Sequence, residues 1–310
     1  MNINRRSFIF GMGATAAFGG CASGRPLFAR HVSDYSGVQI GVITYSWWDL
    51  TNGWANPGYI GEKSICACKK TGIGTIELMG GDAENAVGLP HKATLAQRNA
   101  VPDSKWIELR KRFEAAGIQI HIVKFDNVGL GSDEENAYYA KVTKLLGADT
   151  ITREVIVTNK DERKLKADAI RKCAAAADKF GINIAFHNHT QINLATYADP
   201  LMDLSPRLKI NYDIGHFTAS NDDDPVEFVR RFKNRIASIH IKDRTLMRNG
   251  SKNLPFGKGD TPLKRLFDYI QSEGLYDIPC DIEREYAIPA GSDRINEVAV
   301  CNRYCRGLID

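Results

Sequence analysis

The chain has 310 residues, of which 43% are hydrophobic and 25% charged, and its formal net charge is +4. That length and apolar content suit one sizeable α/β domain with a single core, and the charge is too small for the basic surface that nucleic-acid binding requires. Without residues 1–29 the chain loses three arginines and no acid, leaving 38 basic against 37 acidic residues and a charge of +1.

Those first residues read as an address. Arg5 and Arg6 precede Ser7, Phe8 and a weakly apolar Gly/Ala-rich stretch. This twin-arginine pattern predicts a cleavable signal over residues 1–29 and an exported or periplasmic protein. Residues 18–21 also resemble a loose lipobox, so a lipid on Cys21 is the one route by which this chain would be held at a membrane. Residues 30–310 then form one domain, and nothing in them opposes a homo-oligomer. The remaining cysteines contain no Cys-x-x-Cys and read as buried thiols more readily than as a bridge.

From residue 39 onward, short apolar runs alternate with amphipathic stretches. Strands are expected at 39–45, 75–78, 119–123, 150–157, 182–189, 208–213, 236–241 and 278–283. Helices are expected at 59–70, 104–116, 134–146, 161–180, 225–232, 262–273 and 293–308, and residues 200–204 are long enough for a turn or two. Gly72, Gly117, Gly147, Gly181 and Gly274 each follow a helix and precede a strand, where a left-handed residue ends the helix. Eight strand–helix units predict a single-domain (β/α)8 TIM barrel. The longer excursions, 80–103 and 244–261, follow strand ends and are expected on the face that carries function.

The strand ends carry the chemistry. Asp213 and His216 close the sixth run; His240 and Lys242 share one face of the seventh by period-two alternation; Glu283 and Glu285 do so at the eighth, and His187 and His189 at the fifth. Glu77 ends the second strand, Lys124 ends the third and Glu154 lies in the fourth. Taken singly, each is as well explained as a cap, a packed core group or a surface charge. Together, a Glu, an Asp and two His around one centre suit one divalent ion, Mn²⁺, Co²⁺, Mg²⁺ or Zn²⁺. Glu283 is read as ligand or base with Glu285 behind it, the reverse assignment staying open. Lys242 needs a carboxylate, a substrate oxygen or water if buried, and Lys124 is placed to bind a substrate oxygen.

The twin-arginine leader and residues 72–78, 187–189, 213–216, 240–243, 256–260 and 282–285 resemble the exported branch of the sugar phosphate isomerase/epimerase family. These are xylose isomerase-like TIM barrels, related to ketose 3-epimerases, inosose dehydratases, 3-keto-glycoside lyases and the endonuclease IV group. The resemblance covers nearly all of residues 38–310. It implies metal ligands at Asp213, His240 and Glu283 and a substrate contact from His216; the residues themselves add His187 as a candidate fourth ligand and His189, Lys242 and Lys124 as candidate substrate contacts. Ketose 3-epimerases carry a glutamate on the fifth strand where this chain has His187, which moves the comparison toward the dehydratase and lyase relatives. Glu154, one strand earlier, is then a candidate for the missing carboxylate, and Glu283, Glu154 and His187 are the catalytic candidates. The expected activity is metal-dependent proton abstraction next to a carbonyl of a sugar or keto-sugar, giving isomerisation or epimerisation. The alternatives are β-elimination by a dehydratase or 3-keto-glycoside lyase, or a carbohydrate-binding barrel without catalysis. The charge balance, the leader and too few His and Glu for a multi-metal cluster speak against a DNA-repair role.

Overall fold

The computed structural model describes residues 31–48, 62–159 and 161–310. The signal segment, Cys21 and the start of the first expected helix lie outside the described residues. Eight parallel strands form the centre: β1 (Val38–Ile43), β2 (Thr75–Met79), β3 (Gln119–Lys124), β4 (Thr150–Glu154), β5 (Asn183–His187), β6 (Leu208–Asp213), β7 (Ile236–Ile241) and β8 (Cys280–Ile282). They pair in chain order, β8 also pairs with β1, and the sheet closes into a TIM barrel. Among the described residues, seven longer helices cover it: α1 (Glu62–Thr71), α2 (Asp103–Ala115), α3 (Asp133–Leu145), α4 (Ala167–Phe180), α5 (Pro225–Phe232), α6 (Leu263–Glu273) and α7 (Arg294–Ile309). Between β5 and β6 the chain makes only the short helices Leu194–Tyr197 and Pro200–Leu204.

Alternation along the strands sorts the residues. Ile76, Leu78, Ile151, Phe186, Ile210, Tyr212, Ile239, Ile241 and Ile282 belong to the main core between strands and helices. Their strand neighbours Glu77, Thr152, His187, Asn211, Asp213, His240, Asp281 and Glu283 are equally buried but turn to the barrel axis, where they bond to one another. A barrel interior is ordinarily filled by branched apolar side chains. Here an apolar layer of Ile122, Ala185 and Ala237 shares the axis with a polar column. Two bulges build it, because the pairing of β3 with β2 skips His121 and that of β7 with β6 skips Ala237. Gly41 is required beside this column: a Cβ there would lie 2.1 Å from the Asp281 carboxylate.

The five glycines expected to end helices do so in the left-handed region, with φ between +60° and +89°. Several boundaries differ from expectation. The fourth strand stops at Glu154, and α4 starts at Ala167 rather than residue 161, because Leu165 forms a bridge with Val157 and the Lys166 amide bonds to Ile156. The eighth strand is only three residues long, and β1 gives way at Thr44 to a 3-10 turn. All six described cysteines are free, five of them buried.

Candidate active site

Glu77 anchors the polar column. Its carboxylate accepts hydrogen bonds from Thr152 Oγ1 at 2.6 Å, Asn211 Nδ2 at 2.9 Å and His240 Nε2 at 2.8 Å. The other His240 nitrogen faces Glu283 Oε2 at 3.1 Å. A ring between two carboxylates must donate from both nitrogens. Burial opposes the charge, but Glu77 and Glu283 outweigh it and hold the imidazole well above its ordinary pKa, as imidazolium. The same balance holds Glu77 below its ordinary value: burial pushes up and His240 prevails.

Above this pair lies Lys242, 2% exposed. Its ammonium is 3.2 Å from Asp213 Oδ2, 2.9 Å from Glu283 Oε2, 2.7 Å from Glu285 Oε2 and 3.0 Å from His216 Nε2. Burial works against this cation, and the three carboxylates more than offset it, so its pKa rises. Burial alone would raise Glu283, yet Lys242 and His240 hold it well below the carboxylate range. Burial pushes the Asp213 carboxyl up to about 8, with Lys242 opposing. Asp213 Oδ1 accepts the His216 amide at 2.7 Å, whereas Oδ2 makes no hydrogen bond and lies 3.2 Å from the Lys242 ammonium and 3.8 Å from His216 Nε2.

Two histidines are set in opposite tautomers by their neighbours. His187 Nδ1 lies 2.6 Å from Asn211 Oδ1, and Asn211 spends its amide protons on Glu77 and Ser238. The ring therefore donates through Nδ1 and keeps a lone pair on Nε2. Arg244 donates to His216 Nδ1, so Nε2 of His216 carries the proton. Both rings are buried and held well below their ordinary pKa, by burial first and then by Lys124 and His240 at His187, and by Lys242 at His216.

Ligand-competent atoms of His187, Asp213, His216 and Glu283 lie within 4.8 Å of one another, and those of Glu77, His240 and Asp281 form a second such group. Of the expected ligands, Asp213, Glu283 and His187 fall in the first group, whereas His240 does not: both its nitrogens donate to carboxylates, Glu77 and Glu283, so it has no lone pair to offer a metal. Mixed oxygen and nitrogen donors, the buried Asp213 Oδ2 without a hydrogen bond, and the free lone pair of His187 fit a divalent ion. Lys124, on β3, contacts Glu154 Oε1 at 2.5 Å, and Glu154 Oε2 is 3.5 Å from the half-exposed His189. His187 meets His189 and His216 edge to face, and His189 and His216 meet at a tilt, across the same opening.

Some contributors were not singled out from sequence. Asn211 reads as an ordinary strand residue until its partners are known, and Arg244 reaches His216 only through the hairpin of Asp243–Arg244 with Asn253–Leu254. Tyr45 follows β1, and its phenol is pushed up to about 12 by burial and then by Glu285 and Glu283. Asp243 takes no part in the mouth. Its carboxylate accepts the amides of Gly257, Lys258, Gly259 and Thr261 and pins the 256–261 loop.

A closed eight-stranded barrel with titratable groups gathered at the carboxyl ends of its strands is the architecture of a TIM-barrel enzyme site. The chain belongs to the xylose isomerase-like TIM barrel family, whose profile matches residues 65–299. Part of it is similar to inosose dehydratases. One from Lacticaseibacillus casei is 28% identical over 134 residues, 37% of this chain and 44% of that one. One from Geobacillus kaustophilus (strain HTA426) is 34% identical over 80 residues, 24% and 26% of the two chains. The matched stretches thus span less than half the length of these relatives. Among solved structures, a xylose isomerase domain protein from Planctomyces limnophilus superimposes with a TM-score of 0.62 at 16% identity, covering 88% of this chain and 96% of that one. The IOLI protein with a bound zinc atom gives 0.59 at 15% identity, covering 88% and 98%. At those identities the likeness is one of fold.

Proposed function

We propose that this protein is a divalent-metal-dependent enzyme that removes a proton next to a carbonyl of a sugar or keto-sugar. The observation that carries the reading is the convergence of Asp213, Glu283 and His187 at one buried mouth, with a carboxylate of different character, Glu154, beside it. The family and the dehydratase relatives support it, as does the zinc atom in a structure of the same fold. Held by Asp213, Glu283 and His187, an Mn²⁺, Co²⁺, Mg²⁺ or Zn²⁺ ion would supply Lewis-acid stabilisation of charge developing on the carbonyl oxygen. Glu283, clamped by Lys242 and His240, is a poor base and a good ligand. Glu154 keeps Oε2 clear of hydrogen bonds while Lys124 holds Oε1, which suits it to take the proton. His216 offers Nε2–H to a substrate hydroxyl, and His189 stands at the rim as a second donor.

Once the proton is removed, β-elimination is the favoured outcome. The fifth strand presents His187 where an epimerase needs a second carboxylate, and the curated relatives are dehydratases. A leaving hydroxyl would take back the proton that Glu154 has gained, or one from His189 at the rim, while the neutral His216 could only offer it a hydrogen bond. The test is NMR of the metal-loaded protein with inososes and other keto-sugars in D₂O. The expected result is deuterium exchange or elimination in the wild type, lost in Glu154→Gln while bound metal is retained. Exchange at the wild-type rate in Glu154→Gln would overturn the assignment, and no exchange in any variant would leave a binding-only barrel.

A further inference from the structure

The ammonium of Lys242 sits among the same atoms that converge as a cation site. It contacts Asp213 Oδ2 and Glu283 Oε2, both members of the four-residue group, and also His216 Nε2. The contact with His216 cannot be a hydrogen bond, because Arg244 already fixes the proton on Nε2 and an ammonium only donates. His216 therefore does not hold Lys242 on that side, and the ammonium is kept in place by the carboxylates. Its fourth neighbour, Glu285, stands apart from the group: at 2.7 Å it is the shortest contact of the ammonium, and its side chain is 18% exposed where those of Asp213 and Glu283 are 0% and 6%. The lysine stem runs past Gly215, where a Cβ would come within 2.2 Å of Cγ, so the backbone leaves this side chain its path.

We propose that the Lys242 ammonium and the divalent cation are alternative occupants of one carboxylate cluster, the lysine withdrawing to Glu285 at the rim when the metal takes Asp213 and Glu283. This rests on the metal reading of the site. A monovalent and a divalent cation cannot share two carboxylate oxygens at about 3 Å without strong repulsion in a buried site. Lysine thus neutralises the mouth until a metal arrives, and then stands at the opening with its three donors turned to the substrate side.

The experiment uses Mn²⁺ as the probe, on wild-type protein and Lys242→Met, with free Mn²⁺ followed by EPR and lysine exposure by acetic anhydride labelling and peptide mass spectrometry. Lys242→Met is expected to bind Mn²⁺ about tenfold more tightly or better, since a competing cation is gone, and to melt at lower temperature than wild type without metal but not with it. In the wild type, Mn²⁺ should raise labelling of Lys242 relative to Lys111 and Lys264. Labelling of Lys242 that Mn²⁺ leaves unchanged overturns the exchange of occupants even if affinity rises, because simple charge removal would also raise affinity. Equal Mn²⁺ affinity in the two proteins overturns it as well, with the metal reading intact. Mn²⁺ bound by neither protein overturns the metal reading itself. The labelling arm needs no substitution, so a poorly folding variant does not remove the test.

Discussion

Replacing Glu77 tests whether the polar column is a structural element or a tolerated oddity. Glu77 is fully buried and receives three donors, Thr152, Asn211 and His240. A hydrogen bond to a charged group is worth about 1.5–3 kcal/mol, and removing one partner of a buried ion pair costs about 3–5 kcal/mol because its mate is stranded. These contributions overlap, so they do not add. Glu77→Ala should therefore lower the unfolding free energy by about 4–5 kcal/mol, and Glu77→Gln, which keeps an acceptor for some of the donors, by about 2 kcal/mol. The measurement is guanidinium unfolding followed by circular dichroism, with the exposed Lys111→Ala as a control expected within about 0.5 kcal/mol. The pH dependence has a defined sign. Glu77 is held below its ordinary value by His240, so its contribution is present above the usual carboxylate range and is lost as pH falls through the depressed folded value. A loss below about 1 kcal/mol in Glu77→Ala at pH 7 would refute the claim that an ionised Glu77 holds these three donors.

Asp82 gives a second pH signature of opposite sign. Burial pushes its carboxyl up to about 7, against hydrogen bonds from Thr44 and Trp48, so its stabilising neutral form is fully present below about pH 4 and is lost as pH rises through 7. The gap of about three pH units corresponds to about 4 kcal/mol. Asp82→Asn should flatten that part of the stability curve, and an unchanged curve by denaturant titration at pH 5 and pH 8 would refute it. Asn211→Leu should lower Mn²⁺ affinity about 10–100-fold by releasing the His187 tautomer, and unchanged affinity by calorimetry would show that Asn211 does not orient that ring. On the proposal that the leader directs export, Arg5→Lys with Arg6→Lys should leave the precursor in the cytoplasm, because the receptor reads the guanidinium pair; normal export in fractionated cells would assign another route.

The barrel was legible because its signals are local. A left-handed Gly after a helix, an apolar run after that, and an ionisable residue at its end can be read within about ten positions, and all five glycines adopt the expected backbone. What remained hidden is pairing at long range. Glu77 and His240 are separated by 163 positions, and nothing local to either predicts that they meet. The bulges at His121 and Ala237 were hidden for a related reason: one extra residue changes which side chains face the axis without changing the composition of the run. The start of α4 was misplaced because a tertiary bridge claimed residues whose own pattern suits a helix.

Asp213 shows how a bland reading of one residue is compatible with the functional one proposed for it. Read alone, a strand-end Asp three residues before His216 is as well explained by capping the following turn as by binding a ligand. Its two oxygens divide these tasks. Oδ1 accepts the His216 amide and starts the short helix Ile214–Thr218, while Oδ2 stays buried without a hydrogen bond, turned to Lys242 and the mouth. The cap fixes the rotamer, and the fixed rotamer aims the second oxygen, so the local signal that weakens the functional reading also places the oxygen on which the proposed metal site depends. The same economy governs residues 240–243. Strand alternation sends His240 and Lys242 to the axis and leaves Asp243 to gather the amides of the 256–261 loop. A substitution at Asp243 would thus reach the mouth indirectly, through the loop and through Arg244, whose hold on His216 depends on the hairpin that Asp243 begins.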